Sequence, residues 1–213
     1  MRSFAAVLLA GIAIAGCGAG SRGAVALTPS TELGTVVLRL TADGSRTTAG
    51  PRDAMAPAVV VDAGRGRPSA ELAAARDALA RLVAEAHVPR AVADRMVRIA
   101  RERTRERLVR PGGSGVAGDT LLDLSIAEVG LVTIARPGEP AAPAADPALT
   151  LVVNGSLRLE RAKDGVVLLA RPIRHMAETK PLGVWMKDEA RELRNALGPA
   201  VEALAASLVD ELF

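Results

Sequence analysis

Cysteine is almost missing from this chain: Cys17 is the only one among 213 residues. An internal disulfide framework and a thiolate metal site are therefore excluded. Histidine is nearly as scarce, and His87 and His175 leave little with which to hold zinc or haem, so no cofactor is expected. Tyrosine is absent, and beyond Phe4 the aromatic set is Trp185 and Phe213. Such poverty excludes the aromatic platforms on which single-stranded nucleic acids and sugars stack. Lysine is scarce too, since arginine supplies 24 of the 27 basic residues, yet the net charge is only +3. A basic pI of 9.7 on so small a net charge reflects an arginine- and alanine-rich composition and does not indicate a nucleic-acid partner. Long apolar runs are also lacking, because none reaches the ~20 residues that span a bilayer as a helix.

What is present starts at the N-terminus. Arg2 is followed by an apolar run of 11 residues, FAAVLLAGIAI, the length of a secretory signal core. Ile14-Ala15-Gly16-Cys17 then resembles the lipobox of bacterial lipoproteins. The small residues let a signal peptidase reach the backbone, and the thiol is the nucleophile that takes diacylglycerol. The resemblance implies that residues 1–16 are removed and that Cys17 carries lipid, palmitate included. One acyl chain binds a membrane only marginally, at ~0.8 kcal/mol per buried methylene, and a lipoprotein carries more than one. Gly18, where an aspartate would favour the inner membrane, implies the periplasmic face of the outer membrane. Residues 17–34 are small and polar and read as a tether about 20–25 Å in reach.

The remaining residues, 35–213, suit one α+β domain. Strands are predicted over 35–41 and 57–63. Ser69 is an N-cap with Glu71 behind it, and Leu72, Ala75, Leu79, Leu82 and Ala86 recur at helical spacing. Pro89 separates a second helix, whose apolar stripe of Val92, Met96, Ile99, Ala93, Val97 and Ala100 stops at residue 100. From 122 the period changes to two: Leu122, Leu124 and Ile126 alternate with Asp123 and Ser125, a strand that runs to 134. The clearest strand follows, with Leu149, Leu151, Val153, Gly155, Leu157 and Leu159 opposite Thr150, Asn154, Ser156, Arg158 and Glu160. Asp164-Gly165 marks a hairpin, and residues 166–170 return antiparallel, with a further strand end over 171–175. A helix from about Asp188, with Leu193, Leu197, Val201, Leu204, Leu208 and Leu212 on one face, closes the chain, and Gly198-Pro199 should kink or split it. The expected architecture is an antiparallel sheet, a three-strand meander plus one or two N-terminal strands, covered by amphipathic helices.

Few residues suggest chemistry. Asp119, Asp123 and Glu128 could pair as acid and base, but they read as the solvated face of a strand. His175 lies near Glu178 and Lys180, yet no Gly-x-Ser-x-Gly elbow accompanies it. Asn154-Gly155-Ser156 is a chance sequon, and Gly64-Arg65-Gly66 lacks the third glycine of a dinucleotide loop. No enzymatic activity is expected. The strongest asymmetry is charge: residues 90–110 hold eight arginines against Asp94, Glu102 and Glu106, a local +5, so the rest of the chain is −2. Glu102/Arg105 and Glu106/Arg110 can pair along a helix, and Arg101, Arg103, Arg105 and Arg107, beyond the apolar stripe, could meet an anionic surface.

Over residues 119–212, the run from DTLLDLSIAEVGL through Asp164-Gly165-Val166 and Trp185 to the leucine-spaced closing helix is similar to periplasmic lipoproteins of the curli-secretion and penicillin-binding-protein-activator group. These share a domain like the N-terminal domain of the Tol translocation protein. The resemblance implies envelope assembly or binding of an envelope protein partner without catalysis. A membrane met through the lipid anchor and no nucleic acid complete the expected partners. The alternative is an accessory lipoprotein of an envelope transport system that binds lipid or another apolar ligand in a cavity between sheet and helices.

Overall fold

A computed structural model describes residues 33–41, 56–64, 69–103, 107–110, 118–134 and 146–213. The elements follow in the order β1 (Thr35–Leu40), β2 (Ala58–Asp62), α1 (Ala70–Ala86), α2 (Val88–Arg103), β3 (Arg107–Val109), β4 (Thr120–Val132), β5 (Ala148–Arg161), β6 (Val167–Pro181) and α3 (Leu182–Leu212). The class is α+β, with a six-stranded sheet covered on one face by helices.

The sheet is mixed rather than antiparallel throughout. β4, β5 and β6 form the expected antiparallel meander. β1 and β2, however, both run parallel to β4 along the same edge, β1 beside residues 120–124 and β2 beside 128–132. A bulge between Ile126 and Glu128 separates the two contacts. The parallel sense arises because α1, α2 and β3 intervene between β2 and β4, a connection long enough to return the chain to the same end. β3 was not foreseen: the polar run expected to continue α2 through Arg107 leaves the helix at Arg103 and pairs as a strand with β1.

Local grammar explains the helices. The Ser69 hydroxyl accepts the Leu72 N–H at 3.2 Å, and α1 ends where His87 turns left-handed at φ 47°. Of the predicted stripe of α2, Val92, Ala93, Met96, Ile99 and Ala100 are buried and Val97 is half-buried. Along β5, Leu151, Val153 and Leu157 face the helices, with Asn154 and Arg158 half-buried on the other face. Thr150 lies on that other face yet is only 2% exposed, its hydroxyl 2.6 Å from that of Thr179. β6 spans 15 residues, well past the expected return, and is an edge strand. Pro172 is admissible there because no further strand needs its missing N–H.

The helical break falls elsewhere than expected. α3 continues through Gly198-Pro199, and its non-helical residues are Lys187 to Ala190. Glycine before proline lacks the Cβ that collides with the proline ring in α geometry, which lets Gly198 remain helical. At 188–190 three non-glycine residues are left-handed, with φ of 51°, 57° and 62°. Each such residue costs ~1–2 kcal/mol. Glu189 is exposed, so Glu189→Gly should stabilise the fold by about 1 kcal/mol. Urea unfolding would show a raised midpoint, and a lowered one would contradict the left-handed turn.

Candidate functional site

Cys17 and Arg105 lie outside the described residues, and of Arg107 only the backbone is described. Arg101 and Arg103 occupy the last turn of α2, both exposed. Arg103 donates to Asp210 of α3 at 3.0 Å. Further back, Arg95 meets Glu202 at 2.9 Å and Arg98 also pairs with Glu202. Hydrogen bonds from Arg98, then burial working in the opposite direction, leave the Glu202 carboxyl below its ordinary range. Glu102 pairs with Arg98 at 3.2 Å and Arg110 with Asp94 at 2.7 Å, whereas Arg105 and Glu106, the other members of the expected pairs, lie outside the described residues. The four arginines do not share one helix, and Arg103 is engaged by its own domain. Glu202 and Asp210 are the residues sequence reading missed. They are eight apart, like Arg95 and Arg103, and opposite charges at equal spacing were the available sign that the two helices run side by side.

The three acids expected on the solvated face of a strand are each held by the fold, and Asp123, only 8% exposed, is buried rather than solvated. Asp119 accepts the Thr35 N–H at 2.9 Å, where the chain joins the sheet. Asp123 takes a two-pronged bond from Arg39 at 2.7 and 2.9 Å, and Glu128 accepts from Asn154 at 2.8 Å. Ionised groups engaged this way favour geometry, since a forked arginine fixes the relative twist of β1 and β4.

His175 points toward α3 from the middle of β6 and lines an open groove of about 400 Å³. Ala177, Ala196, Pro199, Ala200 and Ala203 make its apolar wall, while Lys180, Glu178 and Glu192 form a polar end. Burial pulls the His175 imidazole below its usual range. No serine lines the groove. Lys180 bonds Glu178 and Glu192, which together hold its ammonium above the ordinary range, and it lies 5.2 Å from the centre of the Trp185 ring. A second open cleft, about 510 Å³, lies between the end of β2 and α1 beside Asp62, Arg76 and Asp77. The interior between sheet and helices is filled by Trp185, Met96, Leu79, Leu151 and Leu193, each under 2% exposed. Among the described residues no cluster of histidine, cysteine, aspartate and glutamate has metal-binding geometry, and no helix is long and apolar enough to cross a membrane.

No family model matches the chain, and none of the curated protein sequences does. Solved structures are similar at a distance. A protein from Xanthomonas campestris assigned to the family model DUF330 has a TM-score of 0.41 and 18% identity, covering 87% of either chain. A protein from Helicobacter pylori, provisionally described as a neuraminyllactose-binding hemagglutinin homolog, has a TM-score of 0.35 and 10% identity, covering 85% of this chain and 83% of its own. A Caulobacter crescentus protein provisionally assigned as a lipoprotein has a TM-score of 0.28 and 15% identity over 72% of this chain and 83% of its own.

Proposed function

We propose that the chain is a non-catalytic lipoprotein of the bacterial envelope, exported, cut before Cys17 and anchored by lipid at the periplasmic face of the outer membrane. There it binds a protein partner or takes part in envelope assembly. The observation that carries this reading is the N-terminal order: Arg2, an apolar run of 11 residues, and then Ile14-Ala15-Gly16 before the chain's only cysteine. The start of the described fold is in keeping. Leu33, the first described residue, is 5% exposed, and its carbonyl accepts the Thr120 hydroxyl at 2.8 Å. The engagement of Asp119, Asp123 and Glu128 in structural bonds supports a role without catalysis. Arg101, Arg103, Arg105 and Arg107 belong to this reading as a contact for anionic headgroups, with Arg103 the weakest contributor because Asp210 already neutralises it.

Cys17→Ser should abolish lipid incorporation and leave an unprocessed or mislocalised precursor. Radioactive palmitate fed to cells expressing either form decides the matter. A Cys17→Ser band as strongly labelled as wild type overturns the anchor.

A further inference from the structure

The topology gathers one end of the molecule around the point where the chain joins the sheet. Thr35 of β1 pairs with Arg107 of β3 on one side. On its other side the Asp119 N–H donates to the Thr35 carbonyl at 2.9 Å, and the Asp119 carbonyl in turn accepts the Ala162 N–H at 2.9 Å. Ala162 opens the turn between β5 and β6, so that turn lies only two strand spacings, about 10 Å, from the emerging tether. The C-terminal end of α2 arrives at the same place, because Arg103 and Arg107 are four residues apart and Arg107 lies beside Thr35. α3 runs alongside α2 in the same sense, Arg95 and Arg98 meeting Glu202 and Arg103 meeting Asp210, so its C-terminal turn is there too.

The described acids at this end are already engaged. Asp164 bonds Arg161 at 3.0 Å and the Val166 N–H at 3.2 Å, Asp210 holds Arg103, Glu211 pairs with Arg171, and Glu102 pairs with Arg98. Two exposed cations, Lys163 in the turn and Arg101 on α2, form no salt bridge with any described residue. Three residues on from Lys163, Val166 closes the hairpin turn by accepting the Arg161 N–H at 2.9 Å, and its apolar side chain is 43% exposed. A cation next to an exposed aliphatic residue suits the boundary between headgroups and acyl chains, where the apolar group enters and the charge meets phosphate.

The geometry points to the β5–β6 turn, with Lys163 and Val166, as a second membrane contact that sets the domain end-on to an anionic bilayer. This rests on the lipid-anchor reading. On that reading residues 18–32 can span at most about 50 Å even fully extended, so an anchored domain never leaves the neighbourhood of the bilayer. A contact too weak to recruit the free protein is then occupied as an intramolecular one. The far end of the sheet, where Val184 is 40% exposed after β6, faces away.

The test uses the full lipidated protein in vesicles of phosphatidylglycerol and phosphatidylcholine, with Val166→Trp and Val184→Trp compared in a Trp185→Phe background. Mass measurement and vesicle flotation first establish the lipid on Cys17. Val166→Trp should show blue-shifted emission and at least twofold quenching by lipids brominated high on the chain, with Val184→Trp unquenched. Adding Lys163→Glu and Arg101→Glu should remove most of that quenching. Equal quenching at both positions, or none at Val166→Trp in a protein that floats, overturns the orientation and leaves the anchor standing. Blue-shifted emission without quenching reports burial against protein and overturns it as well. A chain without lipid that fails to float overturns both readings.

Discussion

Trp185→Ala is expected to lose about 3–5 kcal/mol of stability, the range for removing a large buried aromatic side chain. The ring is 0% exposed, and its indole N–H donates to the Leu149 carbonyl at 2.9 Å. Around it, the Leu182 N–H bonds the Pro147 carbonyl at 2.9 Å and the Gly183 N–H bonds Asp146 at 2.8 Å. The first turn of α3 is thus tied to the start of β5, and the indole is the plug between them. Lys180 stacks 5.2 Å from the ring centre, but its contribution is the smaller one, because it also bonds Glu178 and Glu192. Trp185→Phe keeps most of the volume and removes the donor to Leu149, so its loss should be nearer ~1–2 kcal/mol. Urea unfolding followed by circular dichroism measures both, since the only tryptophan is deleted. A loss under about 1 kcal/mol for the alanine variant would mean that the indole is not packed between β5 and α3.

The elements that could be read from sequence were those whose pattern is set locally. Leu122 to Ile126 and Leu149 to Leu159 alternate because one face of each strand meets the helices, and Leu122, Leu124, Leu151, Leu157 and Leu159 lie in the core as that alternation implies. The opposite face is less solvated than the alternation suggests, since Asp123 is 8% and Ser125 3% exposed. The caps and stripes of α1 and α2 are local as well. What escaped was set by partners far along the chain. Parallel pairing of β1 and β2 with β4 depends on where the chain re-enters after two helices, and no residue of β1 or β2 encodes its neighbour. The three residues of β3 carry no period at all, and they become a strand because β1 offers an unpaired edge. Likewise the charge excess of α2 was legible as a count, but its meaning turned on Glu202 and Asp210, about 107 residues away in the case of Arg103. The expected kink at Gly198-Pro199 is absent, and Gly198, with no Cβ to strike the following ring, eases part of the cost of Pro199 within α3, whereas the strain at 188–190 has no signature in composition.

The strand glycine at 155 should be among the least replaceable residues of the chain. In most extended segments Gly→Ala stabilises by ~0.4–1 kcal/mol, because alanine restricts the unfolded chain. At Gly155 the added Cβ would stand 2.1 Å from the Ser125 carbonyl oxygen and 3.2 Å from Ile126 Cα, both backbone atoms of β4. No rotamer change relieves a contact with backbone. β4 is also fixed on its other edge by β1 and β2, so it has little freedom to retreat. The close approach coincides with the bulge at Ile126/Glu128, where the contact of β4 with β1 gives way to its contact with β2. Gly155→Ala should therefore reverse the usual sign and cost about 3 kcal/mol, the upper part of the range for overpacking a core. Ser156→Ala, one residue on and half-buried on the helix-free face, should stay within about 0.5 kcal/mol. The pair separates a clash at one backbone site from a general intolerance of β5. Equal melting temperatures for Gly155→Ala and wild type would show that β4 and β5 do not approach this closely, and that the bulge does not hold the register between them.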